Sequence, residues 1–313
     1  MELSIVVPLY NERDNLVPLH EELARVLGSA AASSYEMLFV DDGSTDGSAD
    51  VLRTIKAGDE RVRVFRLARN SGQTAALACG LHQAVGDVVV AIDGDGENDP
   101  ADIPRLLAKL AEGYDLVSGW RTERWAGARL SRRLPSVAAN RLISWMTGVR
   151  LHDYGCTLKA YRRDLAHRLM LYGEMHRFVP AIAAEQGARI AEVEVSFRPR
   201  RTGRSKYGPG RIVRTFLDLL TVKFLSGYST RPIQVFGAIG LVTGLIGATW
   251  TAILVFEKIV LGRALHDRPA LLLAILLVIV GVQFISIGLL GEMLTRTYHE
   301  SQNKPVYVIK EQF

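Results

Sequence analysis

Four carboxylates, Asp93, Asp95, Glu97 and Asp99, fall within seven residues of the stretch AIDGDGENDP (91–100), directly after the apolar run DVVVA. Like charges this close repel and raise one another's pKa unless something positive sits among them. The stretch is therefore either an acidic loop splayed into water or a holder of a divalent cation. A D-x-D pair at a strand end lets one carboxylate reach a ribose or a metal-bound water and the other the metal itself. Hard ions such as Mg2+ or Mn2+ take oxygen ligands and keep waters and phosphates in their shell. Glu97 offers a further oxygen, whereas Asp99, beside Pro100, reads as a helix cap. A second acidic stretch, DDGSTDGS (41–48), closes another apolar run. There Gly43 and Ser44 make a tight turn and Asp46 is a plausible helix N-cap. Asp41 and Asp42 either cap the turn or accept hydrogen bonds from a base or a ribose.

These loops need a scaffold, and strand-like and helix-like segments alternate to supply one. LSIVVPL (3–9), EMLFVDD (36–42), RVRVFRL (61–67), DVVVAID (87–93) and YDLVSGW (114–120) read as strands. Helices are expected from near Asp14, after Asp46, across Gln73–Val85 and after Pro100, whose missing N–H costs nothing at a first turn. Such alternation implies an α/β fold with a mostly parallel sheet covered on both faces. Ligands of such sheets bind beyond the carboxyl ends of the strands, where PLYNE (8–12), DDGSTDGS and DGDGEND all fall. Beyond residue 121 the pattern loosens. Residues 135–148 and 209–228 read as amphipathic helices, the first packing on the sheet and the second lying at a membrane surface. The tail KPVYVIK reads as a short closing strand. Internal repeats and low-complexity segments are not found.

The chain has 313 residues, 48% hydrophobic and 23% charged, with net charge +5; its mean hydropathy is +0.12 and its pI about 9.2. The apolar excess sits in two uncharged runs, 235–256 and 270–291. Each is long enough to cross a hydrocarbon core of ~30 Å as a helix, and their glycines suit close helix contact. Positive residues flank the pair on both outer sides, RPRRTGRSKYGPGRIVR before and TRTYHESQNKPVYVIK after, which predicts a hairpin with both ends cytosolic. The expected organisation is a cytosolic catalytic domain over 1–208, an interfacial helix and connector over 209–232, a transmembrane hairpin over 233–295 and a cytosolic tail over 296–313. The N-terminus carries no basic leader. Cys79 and Cys156 fit no metal spacing and suit a reducing compartment. A nucleic-acid role is not supported, because the basic cluster abuts a membrane span, where lipid phosphates are nearer partners.

The ordered set VPLYNE (7–12), DDGSTDGS (41–48), RNSGQTAAL (69–77) and DGDGENDP (93–100) resembles the GT-A, Rossmann-like glycosyltransferases of family 2. HDYGCTLKAYRR (152–163), MHRFVPAIA (175–183), RRTGRSKYG (200–208) and the two spans resemble, more narrowly, the polyprenyl-phosphate glycosyltransferases of that family. The resemblance covers essentially the whole chain. It implies a nucleotide-sugar donor, a polyprenyl phosphate acceptor, a divalent cation (Mg2+ or Mn2+), the cytoplasmic membrane as location and a homotetramer. By the same resemblance Pro8, Tyr10, Glu12, Asp41, Asp42, Asn70 and Gly94 belong to the donor pocket, and Asp93 contacts ribose or the metal-bound diphosphate. Asp95 ligates the cation, with Glu97 as the next ligand. Two positions depart from the family pattern: Glu97 stands where Gln is common, and Gly94 where Ala is common.

A phosphate monoester acceptor is largely ionised near neutral pH, with a second pKa of about 6, so it needs holding in line more than it needs a base. Arg121, Arg132 or Arg133, Lys159, Arg177, Arg201 and Lys206 are the candidate clamps, led by Arg121, Arg177 and Lys206. Asp153 is a base or an orienting carboxylate, and His176 a structural hydrogen-bonder or a ligand. In-line attack predicts inversion at the anomeric carbon. A UDP-linked sugar is the expected donor and GDP-mannose the alternative, with the product serving envelope glycan or lipid A modification. Two rivals are a processive polysaccharide synthase, whose Q-x-x-R-W motif is not found, and a non-catalytic membrane scaffold.

Overall fold

The computed structural model describes residues 2–29, 34–122, 140–171 other than 142, 145 and 146, 175–198, 232–262, 269–301 and 307–313. Two compact units result, Met1–Leu219 with Pro305–Phe313, and Leu220–Lys304. The interfacial helix expected over 209–228 and most of the helix expected over 135–148 lie outside the described residues.

The first unit is built on β1 (Leu3–Leu9), β2 (Tyr35–Asp41), β3 (Val62–Leu67), β4 (Val88–Ala91), β5 (Leu116–Arg121), β6 (Lys159–Arg162), β7 (Ile190–Val195) and β8 (Ile309–Gln312). Among the described residues they form one sheet in the order β7-β5-β6-β4-β1-β2-β3-β8. β1 lies parallel to both β2 and β4, β2 to β3, and β5 to β7. Only β6 and β8 run antiparallel to their neighbours. Every residue of β1 and β2 is buried, as a sheet covered on both faces requires. The covering helices are α1 (Arg13–Ser29), α2 (Ser48–Gly58), α3 (Gln73–Gln83), α4 (Ile103–Ala111), α5 (Arg163–Arg168) and α6 (Val179–Glu185).

Three details place the loops. A Cβ on Gly80 would lie 2.1 Å from Val6 Cγ1, so α3 sits hard against β1 and its first turn reaches the carboxyl ends of β1 and β4. Asp99 accepts from Ala101 N as a cap, with Pro100 opening the turn that precedes α4. The cap position of α2 is Gly47 rather than Asp46. Asp46 nonetheless serves two helices: its Oδ1 accepts from Ser48 N at 2.9 Å and its Oδ2 from Arg13 N, at the start of α1, at 3.1 Å. One carboxylate placed between two helix N-termini is favoured by both dipoles.

The closing strand falls at IKEQ, later than expected. β8 pairs with β3, Phe313 exchanges backbone hydrogen bonds with Val64, and Arg53 holds Glu311 at 3.0 Å. The second unit consists of α7 (Pro232–Leu261) and α8 (Pro269–Ser301). Phe236–Leu261 and Pro269–Gly291 have mean hydropathies of 2.0 and 2.8 and are 17% and 11% buried, so each has the length and the apolar surface to cross a membrane. α7 and α8 touch through glycine: a Cβ on Gly240 would meet Gly281 O at 2.5 Å. Small residues of this kind let two backbones approach where no hydrophobic force drives them together.

Candidate active site

The first acidic pair ends β2. Ser44 N donates to Asp41 Oδ1 at 2.8 Å, and Asp41 Oδ2 lies 3.3 Å from Arg66 Nε without hydrogen-bond alignment. Asp42 accepts from Ser71 N at 2.7 Å and from Gly72 N at 2.8 Å. Burial raises Asp42, with Asp41 adding to the rise, while the two backbone bonds draw it back. Both carboxylates are buried and turn into their own loops. Gly43 between them has φ +73°, and a Cβ there would lie 2.8 Å from the Arg69 carbonyl carbon. The turn therefore requires glycine twice over. That contact also sets Asn70, which is exposed on the adjoining loop. Pro8 ends the neighbouring strand, and Tyr10 and Glu12 follow it, half-buried. Asn11 N donates to Ser44 Oγ at 2.9 Å and Thr45 N to Asn11 Oδ1 at 2.8 Å, which ties the two loops together.

The second acidic group is held differently. Asp93 accepts from Gln73 Nε2 at 2.8 Å. Burial and then Asp95 push Asp93 up to about 7, against hydrogen bonds from Thr157 and Gln73. Asp95 is buried and accepts a bond of 3.1 Å from Glu97 N. Arg198 flanks the loop: its backbone N donates to Glu97 O at 2.9 Å, and its guanidinium pairs with Asp99 and Glu22. Gly94 N donates to Pro8 O at 3.3 Å, which sets this loop against the end of β1. No group of three or more His, Cys, Asp or Glu side chains able to hold a metal by itself occurs among the described residues. What the loop presents is a close pair of carboxylates with Glu97 beside it.

The basic candidates divide. Arg121, at the end of β5, is buried and grips Asp153 through Nε at 2.8 Å and Nη2 at 3.2 Å, with Glu97 4.0 Å away. Burial would lower Arg121, but Asp153, with help from Cys156 and Glu97, outweighs it and keeps the guanidinium charged. Lys159, on β6, is buried with its ammonium on Cys156 O; burial lowers its pKa. Asp93, Gln73, Thr157, Lys159 and His176 line one small cavity beside the end of β4. Arg177 is half-buried next to His176. Arg132, Arg133, Arg201 and Lys206 lie outside the described residues.

Several residues that hold this arrangement carry no sign in sequence of what they hold, although Gln73 and Thr157 fall inside the stretches RNSGQTAAL and HDYGCTLKAYRR. Gln73 and Thr157 bind Asp93, and Arg66 reaches Asp41 from a different strand. Glu192 accepts from both His152 N and Asp153 N at 3.0 Å, fixing the loop that delivers Asp153 to Arg121. None is near its partner in sequence, so only the paired register of strands brings them together.

Acidic loops gathered at the carboxyl edge of a largely parallel sheet mark the place where such a fold binds its ligand. The family model for Glycosyl transferase family 2 matches residues 4–170, and the chain belongs to that family. Its named relatives are polyprenyl-phosphate sugar transferases. The chain is 41% identical to dodecaprenyl-phosphate galacturonate synthase of Rhizobium johnstonii, across 100% of this chain and 93% of that protein. It is 37% identical to undecaprenyl-phosphate 4-deoxy-4-formamido-L-arabinose transferase of Pseudomonas syringae, across 99% of this chain and 90% of that protein. In fold it is similar to glucosyl-3-phosphoglycerate synthase from Mycobacterium tuberculosis, crystallised with Mn2+, UDP and its product. There the TM-score is 0.53 at 23% identity, over 71% of this chain and 79% of that one. Mannosyl-3-phosphoglycerate synthase from Rubrobacter xylanophilus gives 0.55 at 19% identity, over 72% and 74%. These two likenesses establish a GT-A fold for the first unit.

Proposed function

We propose that the protein transfers a sugar, with inversion, from a UDP-linked donor to a polyprenyl phosphate of the undecaprenyl type at the cytoplasmic face of the membrane. The observation that carries this reading is the Asp93–Asp95 pair. It lies at the carboxyl edge of a family 2 sheet in a chain that also holds two helices long enough to span a bilayer. The relatives named for polyprenyl-phosphate transfer match along the whole chain and support the acceptor. β8 comes after the second helix yet pairs with β3, which precedes the first. This pairing supports the reading, made from the basic flanks, that both ends of the hairpin face the cytosol.

The oxygen-only donor set of Asp93, Asp95 and Glu97 is of the kind a hard divalent cation takes, and such an ion would offset the burial and the Asp95 charge that raise Asp93. Asp95 would hold the ion, with Asp93 and Glu97 beside it. When bound, such an ion stabilises charge on the departing diphosphate. The chain's own residues do the rest. Asp41 and Asp42 fix the two loops that frame the donor pocket, and Pro8, Tyr10, Glu12 and Asn70 line it. Asp153 orients Arg121, which together with Arg177 and Lys159 holds the attacking phosphate in line. Lys206, Arg201 and Arg132 are further candidates for that clamp, and a homotetramer is the assembly we expect.

The test incubates purified protein in nanodiscs with undecaprenyl phosphate, Mn2+ or Mg2+, and UDP-galacturonate, UDP-4-formamido-arabinose, UDP-glucose or GDP-mannose. Lipid products are read by mass spectrometry. One UDP-sugar should give a metal-dependent glycosyl-phospholipid. No product from any donor with either metal overturns the reading, and product from GDP-mannose alone replaces the donor.

A further inference from the structure

Three sets of hydrogen bonds meet at the first turn of α3. Ser71 and Gly72, just ahead of it, donate to Asp42. Gln73 donates to Asp93 Oδ1. Thr74 Oγ1 lies 2.8 Å from His176 Nδ1, and Arg177 Nε lies 3.3 Å from Nε2 of the same ring. Thr74 is 2% exposed and His176 8%, so water is not a ready substitute partner for either.

The chemistry of arginine fixes the state of the ring. A guanidinium nitrogen only donates, so His176 Nε2 must bring a lone pair to it. The single proton of the neutral imidazole then sits on Nδ1 and is donated to Thr74 Oγ1. An imidazolium has no lone pair for Arg177 and would set two cations face to face.

We propose that Thr74 and His176 are positioning residues: Arg177 requires the Nδ1–H tautomer of His176, the Thr74 hydroxyl accepts that proton and holds the ring in place, and the Nε2 lone pair then aims the Arg177 guanidinium at the acceptor phosphate. This rests on the polyprenyl-phosphate reading above and deepens it. One helical turn then serves both substrates, with Gln73 holding Asp93 on the donor side and Thr74, through His176, holding Arg177 on the acceptor side. The bland alternative is a buried hydrogen bond that steadies α3 against the turn at Met175–Arg177. It predicts a loss of stability and no selective effect on either substrate.

The experiment uses the full chain in nanodiscs. Thr74→Val keeps the shape and removes the hydroxyl, while Thr74→Ser restores it. Thr74→Val should raise the KM for undecaprenyl phosphate about tenfold, the size of one lost aligning hydrogen bond. The donor KM should stay within about twofold, and Thr74→Ser should return the acceptor KM to near the parent value. In protein labelled with 15N-histidine, the ring assigned by its loss in His176→Asn should carry its proton on Nδ1 in the parent and shift toward Nε2–H in Thr74→Val. An unchanged acceptor KM in Thr74→Val, equal rises in both KM values, or an Nε2–H ring in the parent overturns the inference. Should Thr74→Val not fold, the tautomer of the parent decides alone. Absence of lipid glycosylation by the parent protein sinks the functional reading instead, and the ring measurement still judges the tautomer.

Discussion

Two acidic pairs sit at the carboxyl edge of one sheet on either side of β1, Asp41–Asp42 at the end of β2 and Asp93–Asp95 after β4, and the fold treats them in different ways. The first is closed. Asp42 takes two backbone N–H bonds and Asp41 a third, with Arg66 at 3.3 Å. The second is left open. Asp93 receives side-chain hydrogen bonds from Gln73 and Thr157 and feels the charge of Arg121, yet burial first and Asp95 second push it up to about 7. The same residue types in the same topological position are thus a brace in one case and a vacancy for charge in the other. What separates them is the kind of donor: the loop at 69–72 folds over Asp42 and delivers backbone N–H groups, whereas Asp93 is held by the side chains of Gln73 and Thr157.

The largest effect should come from the open pair. Asp95→Ala should lower transfer by at least ~10³-fold, because several kcal/mol of stabilisation of the leaving diphosphate goes with the ion. Its thermal melt should stay at or above that of the parent, since a like-charge neighbour of Asp93 is removed. Lipid product counted by mass spectrometry and a fluorescence melt check both halves. Retained transfer would erase the contrast between the pairs.

Asp42→Ala should show the opposite profile. Two N–H groups lose a charged acceptor, for a loss of about 2 kcal/mol, seen as a lowered melting temperature. The Asn variant should lose less, and its deficit should depend on pH with a definite sign. Burial raises the folded pKa of Asp42, so the native state holds a proton more readily than the unfolded chain. The parent's advantage over Asp42→Asn is then greatest in acid and shrinks as pH climbs through the folded pKa.

The open pair has its own pH signature. With Asp93 at about 7, the carboxyl is protonated below that value and must lose its proton to face a cation. Mn2+-dependent UDP binding should therefore strengthen up to about tenfold per pH unit from pH 5 to 7 and level off above. Calorimetry in buffers of differing ionisation heat should find about one proton released near pH 6 and none at pH 9. By the same linkage the metal-free protein loses stability as pH rises from about 4 to 7, because Asp93 ionises in the unfolded chain first.

This contrast was only half legible in sequence. β1 falls at Leu3–Leu9 as its unbroken apolar run implies, and all three acidic or polar loops sit at strand ends as read. Which acidic pair would be satisfied could not be read. The donors to Asp42 lie 29 and 30 residues away, and Gln73 lies 20 residues from Asp93. β6 was hidden because KAYR carries a lysine and an arginine, and only burial between β4 and β5 makes a strand of it. β8 was misplaced because IKEQ has no apolar pattern of its own; the open edge of β3 and the Arg53–Glu311 pair select it. Motifs report local chemistry, whereas the partners that tune it arrive through sheet register.

Gly94, inside the open pair, gives the smallest expected effect and the sharpest reading of why that loop stays open. Ala is the residue that the resemblance drawn from the sequence leads one to expect at this position. A Cβ at 94 would meet Leu9 Cβ at 3.0 Å and Pro8 O at 3.5 Å, a tight contact with an atom that the buried end of β1 holds in place. Gly94 is not among the glycines with positive φ, so alanine adopts its backbone without strain and removes some freedom from the unfolded chain. Gly94→Ala should leave transfer within about twofold and change stability by less than about 1 kcal/mol, the entropy removed from the unfolded chain being offset by the crowding of Leu9. Steady-state rates with the best UDP-sugar and a melting curve measure both. A large loss of activity would mean that the loop needs glycine to move around its ion, and that Asp93 and Asp95 are open because the loop is mobile rather than because of the kind of donor the fold gives them.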